Sequence, residues 1–215
     1  MNHLKFAVKR TMDVFLSVLA LIVFSPLLIM IALAIKLDSK GSVFFRQNRL
    51  GKDGKVFSVC KFRTMIQNAE HMGDGLFNYE GDFRVTRVGR ILRKTSMDEV
   101  PQLLNILKGE MSIVGPRPPV TYEHGDFKDY PDAWRKRFTM LPGVTGLAQI
   151  SGRNELTWEE KIKYDDEYID QFKKYGVLID IKIMYITTKK IFFMTSIYEK
   201  RDNASKKVES EVTTE

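Results

Sequence analysis

The stretch VFLSVLALIVFSPLLIMIALAI, residues 14–35, decides the fold, because these 22 residues contain no charged side chain. A helix of this length is long enough to cross the hydrocarbon core of a bilayer. Ser25 and Pro26 lie in its middle, where a proline removes one backbone donor and clashes with the preceding turn. We therefore expect the helix to kink or break there. We also expect the carbonyl that is freed near Ile22 to be bonded by Ser25 or by a basic side chain.

Basic residues lie on both sides of the apolar stretch. They are Lys5, Lys9 and Arg10 before it, and Lys36, Lys40, Arg46, Arg49, Lys52 and Lys55 after it. Positive residues stay on the cytoplasmic side of a membrane, so a single crossing would export one of the two clusters. A segment that enters the membrane, turns at Ser25-Pro26 and returns keeps both inside. Charge and proline alone leave this arrangement and an ordinary kinked transmembrane helix equally open.

Composition indicates one compact domain next to this membrane segment. The chain has 215 residues, of which 44% are hydrophobic, and its formal net charge is +7. A basic chain suits anionic partners such as phosphates, nucleic acid or an anionic lipid surface, but no nucleic-acid-binding motif is present. The single cysteine, Cys60, excludes an internal disulfide framework and favours a reducing cytosol.

The remaining sequence predicts short elements of both kinds. Residues Ser42 to Met65 alternate around the turn GKDG and predict a β-hairpin whose second arm carries Lys61 and Arg63 on one face. The other predictions, in chain order, are a loop over 67–83, a basic amphipathic helix from Arg84 to Lys94, a short helix from Pro101 to Lys108 that ends at Gly109, a strand from Met111 to Val114, a turn-rich segment from Pro142 to Arg153, helices over Thr157–Lys174 and Leu178–Tyr198, and a disordered tail after Lys200.

Two adjacent carboxylates, Asp98 and Glu99, come at the start of a predicted helix. If the helix begins at Ser96, Glu99 can close a capping box, and if it begins at Pro101 both acids still lie near free backbone donors. That position favours the ionised form, which suits a nucleophile or a metal ligand. Neighbouring residues point in different directions on a helix, so the two acids are expected to have different roles. Helix capping is the alternative interpretation of the same pattern.

Cationic residues supply candidate phosphate-binding groups. Arg117 lies between Pro116 and Pro118, which hold its backbone stiff and can present its guanidinium to a phosphate or diphosphate. A solvated arginine on a rigid turn explains the pattern equally well. The helical stripe Arg87, Arg90, Arg93 and Lys94 and the pair Lys61 and Arg63 suit phosphates or lipid headgroups, or simple solvation. His3, His71 and His124 lack metal-ligand spacing and are predicted to be surface residues.

Several of these strings occur together in one known family. The chain resembles the small monotopic phosphoglycosyl transferases, or bacterial sugar transferases, over roughly residues 5–195. The strings that carry the resemblance are KRTMDVFLSVLALIVFSPLLIMIALAIKLDSKGSVFFRQNRLG, KFRTM, GRILRKTSMDEVPQLLNILKGEMSIVGPRP, PGVTGLAQISGRN, YDDEYI and IDIKIMYIT.

The resemblance implies an α+β fold with three parts. Residues 1–40 would form a re-entrant membrane helix broken at Ser25-Pro26, residues 41–199 a small, mostly helical catalytic domain with a β-hairpin, and residues 200–215 a disordered tail. The active site would lie at the cytoplasmic face of the bacterial inner membrane, among membrane lipids. The resemblance leaves the sugar and the oligomeric state open, so a homo-oligomer is compatible with it.

The resemblance also implies a reaction and its residues. Asp98 would attack the sugar-linked phosphorus of a UDP-sugar, release uridine monophosphate and carry the phosphosugar to a polyprenyl phosphate, the initiating step of glycan synthesis. Glu99 would position Mg²⁺ together with Asp98 or activate the lipid phosphate. Arg93 and Arg117 match family positions for phosphate and nucleotide binding, and Lys61 and Arg63 are further candidates for substrate binding.

Overall fold

The computed structural model describes residues 3–69, 72, 82–152 and 155–192. Most of the predicted loop over 67–83, His71, the end of the predicted last helix and the predicted tail fall outside these residues. The described chain is mixed helix and strand. A long apolar helix comes first, and a small, mostly helical domain with a two-stranded hairpin follows it.

The apolar stretch forms α1, which runs from His3 to Asp38 and includes Pro26. The hydroxyl of Ser25 donates to the carbonyl oxygen of Ile22 at 2.8 Å. This hydrogen bond confirms the predicted role of Ser25, because it satisfies an acceptor next to the position where proline has no N–H. The helical assignment itself continues without interruption through Pro26.

Both ends of α1 contact the rest of the domain, and its middle does not. Near the N-terminus, the Lys5 ammonium donates to the carbonyl of Lys173, and near the C-terminus Ile31 and Ile35 pack with Phe62. Residues 22–27, almost two helical turns, are exposed on every side. α1 is the one helix among the described residues that is long and apolar enough to cross a membrane, and 11% of its most apolar 18-residue window is buried. A core helix of a soluble protein would be mostly buried.

The predicted hairpin is confirmed. β1 (Phe44–Leu50) pairs antiparallel with β2 (Val56–Phe62), and Arg49 lies opposite Phe57 in the register. The turn between the strands is a short 3-10 helix, Lys52–Gly54, with positive φ at Asp53 and Gly54. Aspartate and glycine adopt this left-handed conformation more readily than most residues, which explains why GKDG can close the hairpin.

The remaining helices and strands include the predicted ones in the predicted order, together with three short elements that were not predicted. They are α2 (Arg87–Thr95), a 3-10 helix (Met97–Gln102), α3 (Leu103–Lys108), β3 (Ser112–Val114), α4 (Asp132–Arg135), β4 (Gly143–Thr145), α5 (Leu147–Ser151), α6 (Trp158–Tyr175) and α7 (Val177–Phe192). The three are α4 and, inside the segment that was predicted to be turn-rich, α5 and β4. β4 pairs parallel with β3. α3 ends at Gly109, as predicted, and this glycine is in the left-handed region. α6 starts with a capping box between Thr157 and Glu160.

Buried polar contacts attach the first turns of α1 to the domain. The Lys9 ammonium donates to the Asp180 carboxylate at 2.7 Å and to the carbonyl of Val114 at 2.9 Å. The Asp13 carboxylate accepts from the Ser112 hydroxyl and from the backbone N–H of Ile113. These contacts fix α1 against β3, which leads directly into the loop that carries Arg117.

Candidate active site

A left-handed residue places the two candidate carboxylates. Ser96 has φ 56° and ends α2, and the 3-10 helix that carries Asp98 and Glu99 begins directly after it. The Ser96 side chain makes no capping hydrogen bond. The capping-box interpretation of Ser96 and Glu99 is therefore wrong, because Ser96 adopts a backbone conformation that ends one helix and the Glu99 side chain turns elsewhere.

Glu99 instead joins two cations that are distant in sequence. Its Oε1 atom lies 2.9 Å from the Lys61 ammonium and 3.3 Å from the Arg117 guanidinium. The Glu99 side chain is 11% exposed and that of Arg117 is 37% exposed, so the pair opens to solvent on the arginine side. The structure therefore brings together three residues that were predicted from separate motifs.

Asp98 lies next to the same cluster. It is half-buried, and its charge acts to raise the pKa of Lys61, with a smaller effect than burial, which lowers it. The net effect on Lys61 is nevertheless a pKa below its usual value, because burial of the ammonium outweighs the charge of Glu99. Asp98, Glu99, Lys61 and Arg117 thus form one electrostatic unit at the end of β2 and the start of α3.

The loop that carries Arg117 is held by contacts to its carbonyl groups. Prolines at 116, 118 and 119 cannot donate, so their segment must be fixed through its acceptors. Three carbonyl oxygens accept from side chains: Val114 from Lys9, Arg117 from Arg137, and Pro118 from Arg49. Two more accept from backbone N–H groups: Pro116 from Gly143, and Pro119 from Leu50. All residues from 114 to 120 are buried except Arg117, whose side chain is presented from a fixed frame.

Two glycines allow this frame to close. A Cβ atom on Gly143 would lie 2.1 Å from the backbone nitrogen of Gly115, a distance that real Cβ contacts do not reach. The two backbones approach because β3 and β4 pair here, with Ser112 opposite Gly143 and Val114 opposite Thr145. Glycine at 143 is therefore required by the close approach of the loop that carries Arg117.

Two other predicted substrate-binding residues, Arg63 and Arg93, bond groups that follow α1 and β2 in the chain. The Arg63 guanidinium is buried and donates to the carbonyl of Ile35 in the last turn of α1 and to those of Ser39 and Lys40 directly after it. Lys61 and Arg63 were predicted on one face, but β2 ends at Phe62 and the two side chains serve different partners. Arg93, in the last turn of α2, donates to the Thr64 hydroxyl at 2.8 Å. The Arg63 contacts hold the segment that follows α1, and the Arg93 contact joins α2 to the segment that follows β2.

Sequence reasoning missed Arg49 as a site residue. It was counted only among the basic residues after the apolar stretch, yet its guanidinium donates to the carbonyl of Pro118 and its pKa is lowered to about 10 by burial and by the charge of Arg117. A signal existed in the alternation of the strand, which places Arg49 on the same face of the hairpin as Gln47. The structure confirms that pair, because Gln47 accepts from Arg49.

His124 also differs from its prediction as an isolated surface residue. Its ring lies against that of Trp158, with 3.8 Å between centroids, and its side chain is 20% exposed. Arg137 packs over the same Trp158 ring, 4.4 Å from its centroid, and pairs with Asp165. The cluster therefore supports Arg137, which in turn bonds the carbonyl of Arg117.

The carboxylate pair has the donor chemistry that Mg²⁺ prefers. Within the described ranges, no group of three or more His, Cys, Asp and Glu side chains is arranged to hold a metal ion. Magnesium at phosphate-transfer sites usually takes only one or two protein carboxylates and completes its shell with water and substrate phosphate. Asp98 and Glu99 fit that pattern, and both ion pairs described for Glu99 use its Oε1 atom.

A comparison with protein families covers nearly the whole chain. The model of one family, described as bacterial sugar transferase, matches residues 4–194. The match includes α1, the carboxylate pair, the Arg117 loop and α7.

Individual relatives agree with this family. The UDP-glucose:undecaprenyl-phosphate glucose-1-phosphate transferase of Klebsiella pneumoniae is 41% identical over 205 residues, which cover 92% of this chain and 43% of that protein. The exopolysaccharide production protein ExoY of Sinorhizobium fredii (strain NBRC 101917 / NGR234) is 40% identical over 193 residues, 83% of each chain. The UDP-N-acetylgalactosamine-undecaprenyl-phosphate N-acetylgalactosaminephosphotransferase of Aeromonas hydrophila is 40% identical over 191 residues, which cover 86% of this chain and 43% of that protein. The chain thus spans less than half the length of two of these relatives and most of the third.

Proposed function

Because this chain belongs to the bacterial sugar transferase family, we propose that it transfers a sugar-1-phosphate from a UDP-sugar to polyprenyl phosphate. The product is a polyprenyl diphosphate sugar, the starting unit of a glycan such as a capsule or exopolysaccharide. The names of the relatives specify glucose in one case and N-acetylgalactosamine in another. Family membership therefore supports this class of reaction and leaves the sugar open.

In the first step, the Asp98 carboxylate attacks the sugar-linked phosphorus of the UDP-sugar. A bond forms between an Asp98 oxygen and this phosphorus, the bond to the bridging oxygen of the diphosphate breaks, and uridine monophosphate leaves with the electron pair. Two anions must approach each other in this step, so cations are needed to offset their repulsion. Lys61 and Arg117 lie beside the carboxylate pair and supply two of them.

In the second step, the phosphate of the polyprenyl carrier attacks the phosphosugar on Asp98. The new bond joins the two phosphorus atoms through oxygen, and the bond between Asp98 and phosphorus breaks, which regenerates the free carboxylate. A covalent relay of this kind lets a soluble donor and a lipid acceptor use one site in turn. Glu99 keeps Lys61 and Arg117 in place for both steps.

Mg²⁺ would be held by Asp98 and Glu99 together with the substrate diphosphate, and it would neutralise charge on the phosphate oxygens. Phosphate binding by Lys61 and Arg117 does not depend on it, because both cations are fixed by Glu99.

The site would lie at the cytoplasmic face of the bacterial inner membrane, with α1 as a re-entrant helix. Support comes from the contacts of both ends of α1 with one domain and from the exposure of residues 22–27. Single cysteines introduced at Leu4 and Leu37, both exposed, test the arrangement in a Cys60→Ser background. In intact cells, a membrane-impermeant thiol reagent should label neither position, whereas labelling of one alone would mean that α1 crosses the membrane.

The observation that carries the proposal is the pairing of Glu99 with Lys61 and Arg117, next to Asp98 in one short helix. The test is release of uridine monophosphate from UDP-sugars by the purified full-length chain with Mg²⁺ and polyprenyl phosphate. Asp98→Asn should abolish release and leave the protein folded and membrane-bound. Glu159→Gln, an exposed acid in the first turn of α6, is the matched control. An active Asp98→Asn variant would remove Asp98 as the nucleophile.

A further inference from the structure

Arg49, in β1, bonds only neutral acceptors. Its Nη1 donates to the carbonyl of Pro118 at 2.9 Å, and its Nε and Nη2 donate to the Oε1 of Gln47 at 3.1 and 2.6 Å. In the part of the chain that the structure describes, no Asp or Glu oxygen lies within the 4.0 Å that defines an ion pair with Arg49. This arginine therefore differs from Lys61 and Arg117, which both pair with Glu99.

The surroundings of Arg49 disfavour its charged form. Burial and, as a second cause, the neighbouring charge of Arg117 lower the pKa of its guanidinium to about 10, although Glu123 and Glu99 act to raise it. The group still remains positive at neutral pH. A half-buried cation that lacks a paired carboxylate and faces a like charge is unfavourable in the free protein. An anion bound between Arg49 and Arg117 would relieve both effects.

Arg49 also has hydrogen-bond donors to spare. A guanidinium carries five N–H groups, and the contacts to Pro118 and Gln47 use one each on Nε, Nη1 and Nη2. Among the described residues these contacts leave one N–H on each terminal nitrogen, and guanidinium N–H groups are strong donors to phosphate oxygens. Gln47 and Pro118 hold the guanidinium in place, so little side-chain freedom would be lost on binding.

We propose that Arg49 binds a phosphate group of a substrate, beside Arg117. The inference rests on the proposed transfer reaction, in which the site must accommodate a diphosphate first and a lipid phosphate second. Lys61, Arg117 and Arg49 would then place three cations against the two carboxylates Asp98 and Glu99. The phosphate comes either from the diphosphate of the UDP-sugar or from the polyprenyl phosphate, and the experiment separates these sources.

The first measurement is calorimetric binding of UDP to the full-length chain in detergent. Arg49→Gln should weaken UDP binding by about tenfold or more, the usual loss for a hydrogen bond to a charged group. Arg49→Lys keeps the positive charge but loses the two terminal nitrogens of the guanidinium, so its affinity for UDP should lie between those of Arg49→Gln and the wild type. Arg46→Gln is the matched control, because Arg46 lies on the same strand, is exposed and carries the same charge. It should bind UDP as the wild type does.

The second measurement is steady-state kinetics with each substrate varied in turn. If the phosphate is that of the lipid, Arg49→Gln leaves UDP binding unchanged and raises the KM for polyprenyl phosphate. The inference is overturned if UDP binding and both KM values match the wild type, or if only kcat and the unfolding temperature fall, because Arg49 would then merely hold the loop. If Arg49→Gln does not fold, Arg49→Lys decides by the same criteria.

Failure of the proposed reaction would look different. A wild-type chain that binds UDP but releases no uridine monophosphate from any UDP-sugar would contradict the transfer reaction. The UDP affinities of the Arg49 variants would still test phosphate binding by Arg49.

Discussion

The Oε1 atom of Glu99 forms ion pairs with both Lys61 and Arg117, and these two cations differ in how far they are exposed to solvent. Lys61 is the more buried partner, with 19% of its side chain exposed against 37% for Arg117. Burial lowers the pKa of Lys61 below its ordinary value of 10.5, although Glu99 and Asp98 act to raise it. Lys61 therefore loses its positive charge at a lower pH than an exposed lysine does.

This shift predicts the alkaline side of the pH profile. The value of kcat/KM reports ionisations of the free enzyme, so it should fall at a pH below the ordinary lysine pKa as Lys61 is deprotonated. Lys61→Arg should move this fall to higher pH, because a guanidinium stays charged. Lys55→Arg, at an exposed position before β2, should leave the profile unchanged. An alkaline fall that is identical in wild type and Lys61→Arg would exclude Lys61 as its source.

At the scale of elements, the short parallel pair of β3 and β4 decides where Arg117 stands. Gly143→Ala would place a methyl group against the backbone nitrogen of Gly115. We expect a loss of about 1–3 kcal/mol in the free energy of unfolding, which is typical of overpacking, together with a fall in kcat/KM. Denaturant unfolding and the uridine monophosphate assay measure the two effects. Val144→Ala, in the same strand, shortens a side chain and should cost stability with a smaller effect on activity.

The elements that the sequence predicted well are those with a local signal. The hairpin follows from alternation and from the GKDG turn, and the hydrogen bond of Ser25 follows from the missing N–H of Pro26. β4 has three residues, Gly143 to Thr145, and exists because it pairs with a strand about thirty residues earlier, which no local pattern reveals.

Side-chain partners were predictable only in part, because most of them are distant in sequence. Asp98, Glu99, Lys61 and Arg117 were identified, and the structure joins them. Arg63 was predicted as a substrate-binding residue, yet it bonds the end of α1. Arg49 was one of several basic residues after the apolar stretch until the fold placed it beside Pro118. Charge and residue type do not distinguish these cases.

At the scale of the whole molecule, one buried network joins the apolar helix α1, the Arg117 loop and α7. Lys9 pairs with Asp180, and the Tyr168 hydroxyl donates to Asp180 at 2.8 Å and to the carbonyl of Val114 at 3.2 Å. Burial and the charge of Asp180 raise the pKa of Tyr168, so this hydroxyl keeps its proton. The network spans most of the chain and fixes α1 next to the site.

Breaking this network should cost stability. Lys9→Met leaves the Asp180 carboxylate buried without its cation, a change that typically costs about 3–5 kcal/mol. The double variant Lys9→Met with Asp180→Leu should recover much of this loss, because no unpaired charge remains and Tyr168 still donates to Val114. Thermal unfolding in detergent measures both variants. A double variant as unstable as Lys9→Met alone would mean that the loss does not arise from the stranded charge.

The proposed mechanism makes Asp98 carry the phosphosugar between donor and acceptor. The direct measurement is mass spectrometry of the full-length chain after incubation with Mg²⁺ and a UDP-sugar that is turned over, in the absence of polyprenyl phosphate. We predict a mass increase equal to one phosphosugar, located on the peptide that contains Asp98 and lost when polyprenyl phosphate is added. Lipid-linked product that forms at the normal rate while no adduct is found on Asp98 would contradict the mechanism.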